Sequence, residues 1–533
     1  MAISAAAIRR KVQKKFKMRG LTLRVDSLDE ILSFLSHFAD AEEEALDLLA
    51  DEIDNESLKS SILDKDSVHK VVSRLIESDQ AVDPDCGIAG PSAKTSALRI
   101  IDAFLVPKFR HDPIRKKFYE HTEKLEIYGD ASAKVNLYRD RFQLLLQSIS
   151  RDKNFSKPTF DTGSTDGESS EITPIQSLVG CVGKKWIMGV ISQLEDDHFF
   201  LEDLTAAVPI DISNAKITTG FFVENTIIVA EGEMLINGTF QVDTCGFPPL
   251  EEKETSLSLL MGLDFFGSGI YSAEETNRLS ELEKNAVNDM FVVLSDVWLD
   301  DAKTMEKLAV VLNGFNNEDT VPSLFVFMGN FCSHPCNLSY KSYSDLRSCF
   351  GKLGETINSC EKLKEQSRFL FIPGPDDAGP SSALPKCALP EYLTEEIRKH
   401  VPLAVFSSNP CRVKFYTQEI VFLRQDLLYK MQRSCLIPPS SAETMDSFEH
   451  LVATITHQSH LCPLPLTVQP IVWNYDHCLR LYPTPDTIVL GDRSEQKAFN
   501  YTGISCFNPG SFSNDSSFVV YRPCSQVVEL SSL

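Results

Sequence analysis

The chain has 533 residues, 43% hydrophobic and 24% charged, which is typical of globular proteins and long enough for about two to four domains. Its net charge of −23, from 52 basic and 75 acidic side chains, should repel the nucleic-acid backbone, so we expect any role near DNA to pass through a protein partner. No stretch approaches the roughly twenty apolar residues of a membrane span, and we expect a soluble protein without membrane contact.

Residues 1–78 are predicted to form a helical docking module with separated charges. Eight Lys or Arg and no acid lie between Ile8 and Arg24, whereas twelve Asp or Glu and no Lys or Arg lie between Val25 and Leu58. Apolar residues at Ile8, Val12 and Phe16 recur at helical spacing, which favours a first amphipathic helix over a mitochondrial transit peptide. Ser27 and Glu30 then form a capping box for another helix.

Residues 79–174 are predicted to hold linkers and connecting helices. The segment Gln80–Ser96 contains several Pro and Gly residues, and the Ser/Thr/Asp/Gly run from Lys157 to Thr173 cannot bury enough apolar surface to fold. Between these two linkers, residues 97–150 look mixed and mostly helical.

Residues 175–250 are predicted to form a small antiparallel barrel that resembles an OB-fold. Short strands such as WIMGVISQL are separated by turn signals such as Asn237-Gly238. A single-stranded DNA-binding barrel would need aromatic platforms in a positive groove. Because this stretch holds ten acids against Lys184, Lys185 and Lys216, we assign its aromatic side chains to the core; they are Trp186, Phe199, Phe200, Phe221, Phe222 and Phe240.

Residues 251–533 alternate helices and strands in the rhythm of an α/β domain. Ser272 and Glu275 form a capping box, and its helix leads into the apolar strand Phe291–Trp298. Helices near Lys303–Leu312 and between Ser344 and Gln366 separate this strand from two others, Leu324–Phe331 and Phe369–Asp377. All three strands end in short polar turns. Later strands are predicted near Leu403–Phe406, Glu419–Leu423, Thr487–Leu490 and Phe518–Tyr521.

The polar turns resemble the metal-binding motifs of calcineurin-like phosphoesterases, but most of the metal ligands are replaced. Those enzymes carry D-x-H, G-D-x-x-D, G-N-H-D/E and a late G-H-x-H at their strand ends. The matching degenerate positions here are Asp296, Trp298, Asn330, Ser333, Pro375, Asp376, Asp492 and Ser494. Indole and pyrrolidine rings supply no donor to a divalent cation. The resemblance therefore implies an inactivated site with no catalytic residue, no bound metal and no cofactor.

Two histidines and a cysteine pair are the remaining candidate metal ligands. His457 or His460 could serve a weak mononuclear site with Asp296, Asp376 and Asp492, but we expect both histidines to be hydrogen-bonded structural residues. Cys332, His334 and Cys336 could begin a zinc site, yet the downstream ligand pair of structural zinc is missing. The fourteen cysteines contain no Cys-x2-Cys pair, and no apolar signal peptide precedes them, so we expect reduced intracellular thiols.

Helical module, barrel and degenerate domain together resemble the B-subunit family of replicative DNA polymerases, its epsilon branch most closely. The specific stretches are Ser408–Arg412 (SNPCR) and His460–Asp486, with Cys506–Phe512 (CFNPGSF) in support. The helical module before the first linker favours epsilon over the alpha and delta branches. The expected fold class is multidomain α+β, with an N-terminal helical module, an OB-fold β-barrel and a degenerate calcineurin-like phosphoesterase α/β sandwich over residues 251–533.

The resemblance implies a non-catalytic accessory subunit that acts in DNA replication in the nucleus. Its expected partner is the catalytic subunit of DNA polymerase epsilon, whose C-terminal zinc-binding region would dock on the barrel and sandwich. Candidate contact points are the loop Gly374–Lys386 and the turns after Asn330. Small histone-fold subunits and the replicative helicase assembly are further expected partners, and DNA would be reached indirectly through the complex. Two other functions stay open: a single-stranded DNA-binding barrel, and a residual metal-dependent phosphoesterase or nuclease.

Overall fold

The computed structural model describes residues 97–155, 171–195, 198–260, 262–336, 340–440 and 444–533, with eleven single positions before Ala97. The chain divides into two compact units, Met1–Ser96 and Ala97–Leu533. In the first unit Val12 and Phe16 are helical and fully buried, as their spacing predicts. Strands β1 (Thr22–Leu23) and β2 (Ile62–Leu63) pair in parallel there, which the helical prediction did not contain. Glu30 of the predicted capping box lies outside the described residues, as do almost all of both predicted linkers.

The elements of the second unit have the following bounds. Its strands are β3 (Leu98–Asp102), β4 (Phe109–Asp112), β5 (Lys117–Glu120), β6 (Lys185–Glu195), β7 (His198–Glu202), β8 (Ala207–Asp211), β9 (Lys216–Ile217), β10 (Phe222–Val223), β11 (Ile227–Met234), β12 (Phe240–Gly246), β13 (Phe291–Ser295), β14 (Leu324–Met328), β15 (Arg368–Ile372), β16 (Ala404–Phe406), β17 (Cys411–Phe415), β18 (Gln418–Arg424), β19 (Cys435–Ile437), β20 (Thr487–Gly491), β21 (Lys497–Tyr501), β22 (Ile504–Asn508), β23 (Ser517–Arg522) and β24 (Val527–Ser532).

Its helices are α1 (Ala131–Ile149), α2 (Lys253–Leu259), α3 (Ala273–Asn285), α4 (Ala302–Asn317), α5 (Tyr340–Asn358), α6 (Glu361–Gln366), α7 (Glu391–His400), α8 (Leu427–Arg433), α9 (Ser447–His457) and α10 (Phe512–Asp515). Short 3-10 helices cover Ala103–Leu105, Ile175–Leu178 and Trp473–Leu479. The capping box predicted for α3 is confirmed, because the Ser272 side chain accepts a hydrogen bond from the Glu275 N–H. Over the described residues, no helix is both long and apolar enough to span a membrane.

Two six-stranded sheets form a sandwich in the second unit. The first sheet has the order β16-β15-β14-β13-β23-β24, in which β13 to β16 run parallel. The second has the order β21-β22-β20-β18-β17-β3. Apolar side chains from the facing sides of both sheets make one core, which includes Val293, Val326, Val413 and Phe422. Because both faces of the central strands are covered, every residue of β13, β14 and β20 is buried.

Helices cover both outer faces of the sandwich. Leu308 of α4, Phe350 of α5 and Leu393 of α7 pack in one core with the outer side of the first sheet. On the other side, Leu427 of α8 and Leu451 of α9 share a core with strands β18 and β20. The predicted helix–strand alternation after residue 251 therefore produces a four-layer arrangement, because each sheet buries one face on its partner sheet and one on helices.

Residues 97–150 contain more strand than the sequence indicated. The segment Leu98–Asp102 pairs antiparallel with β17 and forms the edge of the second sheet, while β4 and β5 form a hairpin of their own. Helix α1 is the helical part of this stretch. The mixed and mostly helical expectation missed these strands because Leu98 and Ile101 bury their side chains only where a distant strand offers a free edge.

The barrel is closed by five strands. Strand β6 pairs antiparallel with β11 and with β7, and β7 pairs antiparallel with β8. Strand β12 pairs in parallel with β8 and antiparallel with β11, which closes the barrel. Its core contains Phe222 and Phe240, both fully buried, so these two predicted core aromatics are confirmed. Trp186 is half-buried and packs edge-on against Phe155 of the segment after α1.

Candidate functional site

Polar side chains gather where strands of both sheets end at one edge of the sandwich. Asp296 follows β13, Asn330 and Asp376 follow β14 and β15, and Asp492 follows β20. Arg424 is the last residue of β18, at the same edge. Parallel strands place their carboxyl ends together, so Asp296, Asn330 and Asp376 from the three polar turns lie at one edge. Arg424 was not predicted, although it ends an apolar strand just as Asp296 does.

Asp296 is 1% exposed, and both oxygens of its carboxylate accept hydrogen bonds from protein donors. Its Oδ1 accepts from Nη2 of Arg424 at 3.3 Å, from Nε of Arg493 at 3.4 Å and from the Trp298 indole N–H at 3.2 Å. Its Oδ2 accepts from the Ser511 hydroxyl at 2.8 Å. A carboxylate oxygen has two lone pairs, so Oδ1 retains none for a cation. Protein donors therefore take both lone pairs of Oδ1 and one of those of Oδ2.

Arg424 supplies the main positive charge of the cluster. The side chain is fully buried, and its Nη1 donates to Oδ1 of Asp426 at 2.8 Å and to the Gly491 carbonyl at 3.0 Å, while Nε donates to the Gly329 carbonyl. Burial alone lowers the pKa of the guanidinium, but Asp426 and Asp296 outweigh burial and raise it. The charge is permanent, so this ion pair neutralises Asp296 at every physiological pH.

Arg493 closes the exposed side of the cluster. Its side chain is 41% exposed and bridges Asp296 to Asp376, with Nη2 lying 3.6 Å from Oδ2 of Asp376. Asn330 fixes Asp376 from below, because its amide donates to Oδ2 of Asp376 at 3.0 Å and its Oδ1 accepts from the Asp376 N–H at 3.0 Å. Asp376 is thus held by an amide and a guanidinium.

The turns after β14 and β15 are locked together by Asp377. Its carboxylate accepts from the N–H groups of Phe331 and Gly374, both at 2.7 Å. A Cβ on Gly329 would lie 1.9 Å from Oδ2 of Asp377, so only glycine fits there. The buried Lys386 ammonium donates to the carbonyls of Gly374, Pro375 and Asp377, which fixes the loop from its other end. Burial raises the pKa of Asp377 to about 6 and lowers that of Lys386.

Four predicted positions contribute in other ways or lie elsewhere. The Trp298 indole donates to Asp296 and its backbone N–H donates to Ser513, whereas Pro375 accepts from Lys386 with its carbonyl. Ser494 donates its N–H to Asp492, and its hydroxyl accepts from Asn508. Ser333 does not join the cluster, because its hydroxyl and N–H both bind the carboxylate of Asp300.

The candidate histidines serve the fold. His457 contacts the Pro248 carbonyl at 2.8 Å and the Tyr501 hydroxyl at 2.7 Å. His460 accepts from the Cys462 N–H and lies 3.2 Å from Asp476, and burial is the main cause that lowers its pKa to about 4. Neither contacts Asp296, Asp376 or Asp492. Over the described ranges, no group of three or more His, Cys, Asp or Glu side chains, the Cys332–Cys336 turn included, is placed to hold a metal.

The distinctive SNPCR stretch is also structural. Ser408 accepts from the Ala103 N–H, and the Asn409 amide pairs with both the N–H and the carbonyl of Arg424. The buried Arg412 guanidinium donates to the carbonyls of Phe265, Cys478 and Arg480. This stretch therefore holds Arg424 in place and ties β17 to distant loops, so the cluster is a stabilised set of ion pairs and hydrogen bonds.

Comparison with known proteins places all three parts of the chain in one family. Residues 291–500 match the family described as the B subunit of DNA polymerases alpha and epsilon, and residues 131–249 match the OB-fold domain of DNA polymerase epsilon subunit 2-like proteins. Residues 4–75 match the family described as DNA polymerases epsilon N terminal.

Curated relatives match over nearly the whole chain. The B subunit of DNA polymerase epsilon from Arabidopsis thaliana is 62% identical over 531 residues, which is 99% of this chain and 100% of the relative. DNA polymerase epsilon subunit 2 of Homo sapiens is 34% identical over 537 residues, 99% of this chain and 98% of the relative. Among solved structures, an archaeal phosphodiesterase is 9% identical and covers 46% of this chain and 99% of its own, with a TM-score of 0.25, too low to support a statement about this chain.

Proposed function

The chain belongs to the family of DNA polymerase epsilon B subunits, and from that premise we propose that its barrel and sandwich hold the C-terminal zinc-binding region of the catalytic subunit. It is an accessory subunit of the polymerase and takes part in DNA replication. The observation that carries the proposal is the engagement of Asp296 by Arg424 and Arg493, because it makes the former catalytic edge a rigid ion-pair cluster.

The barrel and sandwich have a joint suited to a scaffold. Helix α9 and the residue after it present polar side chains to the barrel backbone: His450 accepts from the Gly220 N–H, and Thr454 from the Phe221 N–H. The Gln458 amide bonds both the N–H and the carbonyl of Ile227, at 2.8 and 2.7 Å. Strand β10 adds a short pairing with β19. Such bonds resist relative rotation, and a rigid body loses little entropy when it binds a partner.

A groove between α1 and the barrel is the surface we assign to this partner. It has a volume of about 360 Å³, and its lining is mixed: apolar side chains such as Phe142, Val190 and Leu204 alternate with polar and charged ones, which are Arg139, Glu202, Asp203 and Asn225. Val135 and Leu204 are 56% and 50% exposed. Exposed apolar groups beside a rigid joint are typical of protein-binding surfaces. The loop Gly374–Lys386 offers less, because only Pro380, Ser381 and Ser382 within it are exposed.

Co-elution from a size-exclusion column tests the proposal. The full chain, coexpressed with the C-terminal zinc-binding region of the catalytic subunit, should elute as a one-to-one complex. Leu204→Asp should abolish co-elution, whereas Leu282→Asp, an equally apolar change at a 40% exposed position of α3, should not. Separate elution of the two wild-type chains would overturn the scaffold role. Co-elution of the Leu204→Asp variant would move the interface away from the groove.

We propose the same wider assignments that the sequence suggested. The domains are a docking module (1–78), linkers and connecting segments (79–174), an OB-fold (175–250) and the inactive phosphoesterase-like domain (251–533). The docking module would contact the replicative helicase assembly, and small histone-fold subunits would join the complex. The complex would act in the nucleus, and the chain would reach DNA through this complex. Deleting residues 1–78 should release the helicase assembly in a pull-down while the catalytic subunit stays bound; loss of both would contradict a separate docking module.

A further inference from the structure

A small cavity in the second unit carries more positive charge than its own carboxylates balance. The cavity has a volume of about 90 Å³ and lies between the β4–β5 hairpin, α1 and the 3-10 helix Trp473–Leu479. Its two carboxylates are already paired, Asp140 with Arg110 at 3.0 Å and Asp476 with Arg141 at 2.5 Å. Its remaining ionisable lining residues are Lys108, His121, His477 and Arg480.

Lys108 and Arg480 have no carboxylate within ion-pair distance among the described residues. Lys108 donates to the Asn474 carbonyl at 3.2 Å, and Arg480, 8% exposed, donates to the Phe109 carbonyl at 2.9 Å. Burial lowers the pKa of both cations. Asp140 and Asp476 offset this burial in part, but the lining still holds three permanent or basic cations, Lys108, Arg110 and Arg480, against these two carboxylates. A buried excess of positive charge is costly, so the cavity favours a negatively charged occupant.

His477 is a further polar residue of the cavity wall. The ring is 4% exposed, Nε2 contacts the Val106 carbonyl at 3.0 Å, and the buried Nδ1 has no hydrogen-bond partner. Burial lowers the pKa of this ring to about 3, so the neutral ring donates from Nε2 and accepts at Nδ1, which calls for a donor such as a water and does not itself bind the anion. The cavity exceeds the roughly 10–15 Å³ needed for one water, so it has room for a group the size of a phosphate.

A line of cations continues from the cavity along one face of the β4–β5 hairpin. Arg110 pairs across the ladder with Tyr119, and Asp112 pairs with Lys117, so these four share a face. Phe109 and Phe118 lie on the opposite face and pack against Phe265. We call Lys108, Arg110, Arg115 and Lys117 the cationic stripe; Lys117 is exposed, and the Arg115 side chain at the tip is 83% exposed. Arg110 and Arg115 lie within ion-pair distance of Asp140 and Asp112, so among the described residues Lys108 and Lys117 supply the charge of the stripe that has no carboxylate partner.

We propose that the cavity binds one phosphate group of a nucleic-acid backbone and that the cationic stripe carries the neighbouring phosphates. Lys117 lies opposite Asp112 in the hairpin, and Asp112 is two residues from Arg110 along β4, a separation of about 7 Å. This spacing suits successive phosphates of an extended single-stranded nucleic acid. Tyr119, 49% exposed on the same face, offers a ring for a base to stack on. The strongly acidic remainder of the chain keeps this contact local.

Fluorescence anisotropy of a labelled short single-stranded DNA, titrated with the full chain, tests the proposal. Three phosphate contacts predict that the logarithm of the binding constant falls with the logarithm of salt at a slope of about −2. Lys108→Gln and Lys117→Gln should each weaken binding several-fold and flatten the slope by about 0.7. Lys303→Gln removes the same charge from an exposed position on α4 and should change neither. Lys117→Gln alters only an exposed side chain, so the test survives if Lys108→Gln fails to fold.

Inorganic phosphate is the second probe. It should displace the oligonucleotide and change the fluorescence of Trp473, which lines the cavity, in the wild type but not in Lys108→Gln. A Trp473→Phe variant assigns that signal among the three tryptophans. Phosphate binding without oligonucleotide binding, capture of a phosphoserine peptide in place of DNA, equal weakening by Lys303→Gln, or binding of neither probe would each overturn the proposal.

Discussion

Replacing Arg424 by methionine should destabilise the sandwich strongly. The change replaces the guanidinium by a shorter apolar side chain, leaves Asp296, 1% exposed, without its buried cation, and removes one of the two donors to each of the Gly329 and Gly491 carbonyls. Removing one partner of a buried ion pair costs about 3–5 kcal/mol. Arg493 stays within 3.4 Å of Asp296 but is 41% exposed, so it recovers only part of this loss. We therefore expect the free energy of unfolding to fall by about 3–4 kcal/mol.

Urea denaturation followed by far-ultraviolet circular dichroism measures this loss. The double variant Arg424→Met with Asp296→Asn removes both charges. Its loss of unfolding free energy should be about 2 kcal/mol smaller than the sum of the losses in the two single variants. Arg278→Met is the control, because that side chain is 71% exposed and its loss should change stability by less than about 0.5 kcal/mol. Additivity of the two changes within about 0.5 kcal/mol would refute the ion-pair explanation of the cluster.

Gly329→Ala should lower the free energy of unfolding by about 1–3 kcal/mol, because the added Cβ would meet Asp377. Gly314→Ala, in open space on α4, should raise the free energy of unfolding by about 0.4–1 kcal/mol. Thermal unfolding compares the two variants, and equal effects would contradict the packing argument. Burial raises the folded pKa of Asp377 from 3.8 to about 6, so the contribution of Asp377 to stability is present at acid pH and is lost as pH rises through about 6. Relative to Asp377→Asn, the wild type should lose roughly 3 kcal/mol of its free energy of unfolding between about pH 4 and pH 7. A difference between the two proteins that stays constant with pH would be inconsistent with that pKa. Manganese should not stimulate hydrolysis of a phosphodiester by the full chain, because Asp296 is occupied by donors; a rate abolished by Asp296→Asn would revive the hydrolase hypothesis.

The strand ends show which parts of the polar cluster could be predicted from the sequence. Apolar runs followed by polar turns correctly located Asp296, Asn330 and Asp376 at one edge of the sandwich, because parallel strands end together. The same reasoning placed Ser333 with them, but Asp300 holds both its hydroxyl and its N–H. Motif spacing fixes where the chain turns, and it does not fix which nearby carboxylate a short side chain will bind.

Long-range partners explain the other differences. Arg424 lies 128 residues from Asp296 in the chain, and no local pattern joins them. The edge strand Leu98–Asp102 pairs with β17, which lies more than three hundred residues away in the chain. The pattern of apolar residues in Leu98–Asp102 does not by itself identify a strand, because the edge that it pairs with is formed by a distant segment.

The sequence by itself determined the barrel, the helix–strand alternation after residue 251 and the polar turns at the strand ends, because periodicity and side-chain chemistry are local properties. Only the tertiary structure decided which cation pairs with Asp296 and where cations outnumber carboxylates. The Arg424 guanidinium balances the charge of Asp296, and Lys108 and Arg480 lie in a cavity whose carboxylates, Asp140 and Asp476, pair with other arginines, because folding brings charges together that are far apart in the chain.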